Sequence, residues 1–566
     1  MFKLKSLSCL AILLVLATRC AEADVLLPSP QGGEVQNRNR PPDYEAVKPS
    51  PLALPPVKPL PQSGKISAGF RLFVRAYRFV GNRAIPSKEL ETVAAPYTGR
   101  TVDSADLEKL RHDLTLLYVK KGFINSGAVL PDQEVKDHVV TFRIVEGKLD
   151  AVNVTGTRRL KVDYVRNRIL LGAGPPLNVN ALQERLRLLQ QNSLIEKINA
   201  NLSPGTRQGG SVLDVAVHEA RPYQVDLTFD NHISPSVGPY HATLHGVHRD
   251  LTGRGDSLDA SYGYTLGVSD YSIHYAIPID AQDTLLGIGY SKNDFAVIES
   301  PFDQLSIRSY SSSKTVSLER PVIRHPGNSL LLGLSVEERS NQTFMLGVPF
   351  SFTPGIPNGT SAEQIARFYQ EWDERGVDQV FTLRSTFTAG TTNALPKVGN
   401  TGPDKHFVVW LAQSQWAKRL EQGDQIILLA NLQYTPQSLL ILEKLGIGGA
   451  STVRGYRETQ LLRDNGYILS AEYRKPVFFD REGASRTQLA CFVDYGKGWN
   501  TDHTADLPAD IASAGLGILW NPTSQWQSQL YVAKPFRNFP VTGRRDLQDM
   551  GIHFLMNYRF FKPDHA

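Results

Sequence analysis

The chain has 566 residues, a net charge of +5 and 41% hydrophobic residues, which allows several domains and gives no electrostatic case for a nucleic-acid partner. After the first two dozen residues no apolar run reaches the ~18–20 residues of a membrane-spanning helix. A β-barrel stays open, because its strands alternate and leave hydropathy near that of a soluble protein.

Residues 1–23 have the form of a secretory leader. Lys3 and Lys5 precede an apolar core, Leu10 to Leu16, and Ala21-Glu22-Ala23 is a cleavage pattern. The rival is a lipoprotein anchored at Cys20. Arg19 disfavours it, since lipid modification wants a small residue there. Cys9 and Cys20 leave with the leader, so the mature chain keeps Cys491 alone and has no internal disulfide. Residues 24–66 contain Pro28, Pro30, Pro41, Pro42, Pro49, Pro51, Pro55, Pro56, Pro59 and Pro61, the composition of an extended linker.

From residue 67 to 147 the order is strand, helix, helix, strand, strand. Phe73 to Val80 reads as the first strand and Gly81-Asn82 as its turn. Ser87 opens a helix to about Ala94. Asp103 or Ser104 opens a second, with Leu107, Leu110, Leu114 and Leu117 at spacings of three and four. Ser126 to Leu130 and His138 to Glu146 close the unit. The order recurs over 148–221: Leu149 to Val154, a helix over Val162 to Leu171, a helix capped by Asn180 with Leu182, Leu186 and Leu189, then Ile198 to Leu202 and Ser211 to His218. Each unit ends at a charged turn, Glu146-Gly147 and Glu219-Ala220.

Over 222–566 helical periodicity gives way to alternating segments such as Ser257 to Tyr264, Tyr271 to Ile277, Leu330 to Val336, Ile426 to Tyr434 and Gln488 to Asp494. Segments of ~8–11 residues at ~21 per strand and loop predict about 16 antiparallel strands in an outer-membrane barrel. A soluble sandwich or solenoid alternates too; the leader, the missing disulfides and the unequal loops favour the barrel. Tyr262, Tyr264, Tyr271 and Tyr275 are candidates for interface girdles. Pro354 to Trp372 reads as one long external loop with a short helix at Ala362 to Phe368.

No catalytic motif is present. Gly255-Asp256-Ser257-Leu258 is followed by Asp259 rather than glycine, and there is no H-E-x-x-H. His241, His245 and His248 come closest to a metal cluster, but on a strand the third lies opposite the first two. No catalytic residue, metal or cofactor is expected. Two short segments do stand out. Val453-Arg454-Gly455-Tyr456 lies in a long Gly-rich loop, about 436–465. In Phe492-Val493-Asp494-Tyr495-Gly496, alternation puts Phe492, Asp494 and Gly496 on one face. A lumen-facing Asp494 wants a partner unless it is well hydrated, and an inward-folded loop could bring Arg454 to it.

With these residues together, the chain resembles the TpsB outer-membrane translocators of two-partner secretion, in the superfamily of POTRA-bearing barrels. Val453 to Tyr456 is similar to that family's V-R-G-F/Y loop-tip motif, and Phe492 to Gly496 to its F-x-D-x-G wall motif. Gly122-Phe123 followed by Ala128-Val129-Leu130-Pro131 is similar to a pattern in its first POTRA domain. The resemblance implies an all-β transmembrane barrel of about 16 antiparallel strands in the bacterial outer membrane, preceded by two small periplasmic α+β POTRA domains. It implies export, without ATP, of an unfolded TpsA-type β-helical exoprotein, by a monomer inserted by the barrel-assembly machinery among outer-membrane lipid. Its insertase relatives and a passive porin are the alternatives.

In that reading the POTRA units take the client by strand addition, at edges near Phe73 to Val80 and Ile198 to Leu202. The residues expected to touch it are Phe73, Tyr77, Phe79, Leu107, Leu110, Leu114, Ala128, Leu130, Leu182, Leu186 and Leu189. The chain departs from the family in its Pro-rich residues 24–66, whose only helix candidate is near Asp43 to Val47, and in Lys562 to Ala566, which follow the terminal aromatic Phe561.

Overall fold

The computed structural model describes residues 71–397, 402–479, 485–502, 508–541 and 545–561, and the backbone pairing of a short strand β1 (Leu52–Ala53). The leader, the helix candidate near Asp43 to Val47 and the tail after Phe561 lie outside the described residues. Among the described residues no helix is long and apolar enough to cross a membrane.

The first α+β unit contains β2 (Arg71–Val74), β3 (Ala76–Val80), α1 (Ser87–Ala94), β4 (Arg100–Asp103), α2 (Ser104–Lys120), β5 (Gly127–Val129) and β6 (Val139–Val145). The single strand expected over Phe73 to Val80 is divided. Arg75 donates its N–H to the His138 carbonyl at 2.8 Å, and the chain passes from a β2–β4 pair to a β3–β6–β5 sheet. α2 starts where a reciprocal capping box forms: the Asp103 carboxylate accepts the Asp106 N–H, and the Asp106 carboxylate accepts the Asp103 N–H.

The second unit contains β7 (Lys148–Thr155), α3 (Val162–Leu170), α4 (Val179–Gln190), β8 (Ile195–Pro204) and β9 (Gly210–Glu219). Its second helix is capped by Asn178, whose side chain accepts the Asn180 N–H at 2.9 Å; Asn180 is therefore inside the helix and not its cap.

The two units share a construction. In each, the strand before the first helix runs parallel to the last strand, β3 with β6 and β7 with β9. That strand ends at a glycine of positive φ, Gly81 at +93° and Gly156 at +86°. A side chain at either would strike a backbone carbonyl, 2.5 Å from Ile144 O and 2.2 Å from Val217 O. A carboxylate from the end of the last strand then caps the following turn. Glu146 accepts the N–H groups of Arg83 and Ala84 at 2.7 and 2.8 Å, and Glu219 those of Arg158 and Leu160 at 2.7 and 2.9 Å. These are the two charged turns of the sequence, each performing the same task in its unit.

From Tyr223 to Arg559 the chain forms a closed antiparallel barrel of sixteen strands, with a two-residue strand, Val348–Pro349, beside one of its hairpins. Side chains alternate between wall faces. On the strand Ser485–Trp499 the face with Leu489 and Val493 is exposed, and the face with Ala490, Phe492 and Asp494 is buried.

The loop and helix expected over Pro354 to Trp372 are corrected: Thr360–Arg375 is a barrel strand. Glu363, Arg367 and Glu371 share its lumen face with Ile365, while Phe368 and Trp372 are exposed on the other. The interior of a barrel accepts charge, so charge does not mark a loop there. Of the four tyrosines named for girdles, Tyr262, Tyr264 and Tyr271 are exposed near the far end of the barrel. Tyr275 instead donates to Asp256 near the end that meets the α+β units.

Candidate functional site

After Tyr434 the chain turns back into the lumen. Short strands Leu445–Ile447 and Leu461–Arg463 pair antiparallel to form the stem of the loop. Its tip carries Arg454, 6% exposed. Asp494 is fully buried and accepts three hydrogen bonds from this residue: the Arg454 backbone N–H at 3.0 Å, Nε at 2.8 Å and Nη2 at 2.9 Å. The last two form the planar fork that guanidinium and carboxylate favour. Nη1 donates to Glu472, and Nη2 also reaches Ser470 Oγ at 3.2 Å. Ser470 Oγ donates to Asp494 Oδ1 at 2.7 Å, and Tyr531 Oη donates to Glu472 at 3.0 Å. The guanidinium lies over the Phe492 ring, 3.5 Å from its centroid, and 4.8 Å from that of Tyr531.

Each motif position has a physical task here. Val453 is fully buried with Leu445, Ile447, Tyr456, Leu461, Ile468 and Ile511, so the loop brings its own apolar core against the wall. Gly455 has φ +92° and faces Ala533; a Cβ there would lie 2.8 Å from Ala533 Cβ. Its N–H donates to His553 Nε2 at 2.9 Å. Tyr456 Oη donates to the Ala512 carbonyl at 2.8 Å. On the wall, Phe492 supplies the ring and Asp494 the charge. Gly496 supplies room, since a Cβ there would sit 2.3 Å from Ile447 Cγ2 and 3.0 Å from Val453 Cγ2.

The loop is held at two further places. Near its start, Glu443 accepts from Arg339 at 2.9 Å and Arg367 at 2.8 Å, on another part of the wall. Beyond the tip, Arg457 binds Asp549 through Nε at 2.6 Å and Nη2 at 2.8 Å, and Glu299 through Nη1 at 2.8 Å. Glu299 and Asp549 belong to loops at the far end of the barrel. Sequence reading did not single out Glu443, Arg457, Ser470, Glu472 or His553. Ser470 and Glu472 carried a usable signal, because they alternate on a strand beside Asp494 and pair in register with Asp494 and Phe492. His553 had no local signal.

The periplasmic candidates divide differently. Tyr77, Leu107, Leu110, Leu114 and Ala128 are buried in the core of the first unit, and Leu182, Leu186 and Leu189 in that of the second. The helical spacing of the leucines marks apolar faces turned to the sheets, and Tyr77 and Ala128 point into the same core from strands β3 and β5, so their assignment as client contacts is corrected. Phe73 is exposed and stacks edge-on with His138; Phe79 and Leu130 are partly buried. β3 has only β6 as a neighbour, so its other edge is open among the described residues. The edge of β8 is occupied: Leu52 and Ala53 pair in parallel with Ala200 and Asn201. His241 and His245 face acids, Asp270 at 3.2 Å and Asp259 at 2.9 Å.

A sixteen-stranded barrel with an inward loop docked on its wall, behind two α+β units, defines a POTRA-bearing outer-membrane transporter of the Omp85 type. The chain matches the haemolysin secretion/activation protein family ShlB/FhaC/HecB over residues 209–519, and the ShlB-type POTRA domain over 72–147. It belongs to that family, the outer-membrane transporters of two-partner secretion, with its POTRA region in the periplasm. Among its relatives are the heme/hemopexin transporter protein HuxB of Haemophilus influenzae, 21% identical over 81% of this chain and 82% of that protein. The outer membrane transporter CdiB of Dickeya dadantii is 22% identical, covering 81% of each chain. The hemolysin transporter protein HpmB of Proteus mirabilis is 23% identical over 80% of each. The solved structure of CdiB from Escherichia coli has the same fold, with a TM-score of 0.67, 19% identity, and coverage of 89% of this chain and 94% of that one.

Proposed function

We infer that this transporter captures an unfolded TpsA-type exoprotein in the periplasm and passes it through the barrel without ATP. The observation that carries this reading is the docked loop, which lies in the lumen and must yield if a chain is to pass. Arg454 and Asp494 hold it while the pore is idle. Passage breaks their contact, and folding of the client outside opposes its return.

Capture uses backbone hydrogen bonding at the open edge of β3, with Phe73 beside it. The edge of β8 becomes available when Leu52–Ala53 leaves it. The transporter acts as a monomer, inserted into outer-membrane lipid by the barrel-assembly machinery.

The test is co-expression of the full chain with a signal-bearing β-helical exoprotein encoded beside it. The culture medium is assayed for the exoprotein, and a photo-crosslinker at Arg78 or Val80 reports contact with the N-terminal domain of that exoprotein. Normal secretion by both Arg454→Ala and Asp494→Ala would refute the role of the loop. Absence of any crosslink during active secretion would refute the capture edge.

A further inference from the structure

Where the second α+β unit meets the barrel there is a cleft of about 340 Å³, between α3 and α4 on one side and the periplasmic ends of barrel strands on the other. Arg168, Arg185, Arg320 and Arg324 line it, and Asp283 is the one carboxylate in its lining. Asp283 is already taken: Arg168 Nε donates to it at 2.9 Å, and Arg324 pairs with its other oxygen. At the rim, Asp280 accepts the N–H groups of Gln282 and Thr284 at 2.8 and 3.0 Å and lies 3.8 Å from Arg320. Glu184 is bonded to His325 at 2.7 Å. Arg185 has no hydrogen-bond or ion-pair partner among the described residues. The cleft therefore holds more guanidinium than carboxylate, with one guanidinium uncommitted.

The surroundings narrow the ligand. On the strand Arg308–His325, Arg320 lies in the outward register with Val316, Leu318 and Val322, all exposed on the lipid-facing wall. Val322 also lines the cleft, as does the exposed Leu171 just after α3. A basic hollow thus runs without interruption into an apolar strip at the level of the periplasmic leaflet. A free anion uses only the first of these; an amphiphile uses both.

We propose that this cleft binds an anionic phospholipid of the periplasmic leaflet. Its phosphate sits among Arg185, Arg320 and their neighbours, and its acyl chains lie along Val322 and Leu318. Guanidinium forks suit phosphate oxygens, and each basic residue near an anionic surface adds attraction. Wedged between unit and barrel, the lipid would set how firmly the periplasmic arm is held against the membrane. This proposal does not depend on what the transporter exports.

The test is native mass spectrometry of the full-length protein released from nanodiscs of phosphatidylglycerol or of phosphatidylethanolamine. Wild type is expected to retain phosphatidylglycerol in preference to phosphatidylethanolamine. Arg185→Gln should lower that retention ~5-fold and Arg185→Gln with Arg320→Gln further, while millimolar inorganic phosphate leaves it unchanged. Equal retention of both lipids, or undiminished phosphatidylglycerol on the double variant, overturns the proposal. Displacement by inorganic phosphate assigns the cleft to a soluble anion and overturns it equally. Arg185→Gln removes no internal hydrogen bond or ion pair, so its barrel should keep wild-type heat-modifiable migration. A misfolded Arg185→Gln would contradict the premise that this guanidinium is free.

Discussion

The two α+β units and the loop seat are both well-packed interiors, yet they are built from opposite materials. The core of the first unit is Leu90, Leu110, Leu114, Tyr118, Val140 and Phe142, fully or almost fully buried with little charge among them. The loop seat is organised by Arg454, Asp494 and Glu472, all buried, around a smaller apolar patch. Apolar burial is non-directional and costly to undo in water. A buried ion pair adds little net stability but fixes one geometry, because breaking it leaves a charge stranded. The units are therefore built to persist, and the loop to sit in one place until something replaces its partners.

The largest effect expected is at that seat. Arg454→Ala or Asp494→Ala strands the opposite charge and should cost the docked loop about 3–5 kcal/mol, read as a loss of docked population by spin-label distances across the lumen. Secretion should fall while heat-modifiable migration shows a folded barrel. Leu110→Ala probes the other material. It should lower the opening free energy of the first unit by about 2–5 kcal/mol in hydrogen exchange and leave the loop distances unchanged. Gly496→Val tests whether the wall dimple is needed. The new side chain meets Ile447 and should cost about 1–3 kcal/mol of docking with every charge kept. Arg457→Ala removes a partly exposed clamp and should cost about 1–2 kcal/mol, loosening the far side of the loop before the tip. Lys121→Ala breaks an exposed pair with Glu89 and should change stability by less than about 0.5 kcal/mol. If the Leu110 and Arg454 substitutions moved the same observable, the contrast between the two interiors would fail.

Much of this was legible in the chain because its signals are local. Alternation marked the barrel, and leucines at spacings of three and four marked the helices. The paired charged turns marked the repeat that Glu146 and Glu219 go on to build. Arg454 and Asp494 were legible as residues out of keeping with their neighbours, a guanidinium among glycines and a carboxylate in an apolar strand. What stayed hidden depends on distant contacts. His553 meets Gly455 across 98 positions of sequence and Arg457 meets Glu299 across 158. The strand Thr360–Arg375 stays hidden because a water-facing loop and a lumen-facing strand both accept charged side chains. The leucines of α2 and α4 were misassigned because an apolar helical face looks the same whether it meets its own sheet or a client.

Three ion-paired attachments of the loop, at Glu443, Arg454 and Arg457, lie on different parts of the barrel and share no partner. They can therefore fail one after another. In the transport proposed above, a polypeptide entering the lumen would need to take only one set of hydrogen-bonding partners at a time, so no single step would carry the whole free energy of release. The same division favours the return. Whichever attachment re-forms first tethers the loop near the other two, and their re-formation becomes a short intramolecular search. The gate would be slow to open spontaneously, responsive to an occupant, and quick to close behind it.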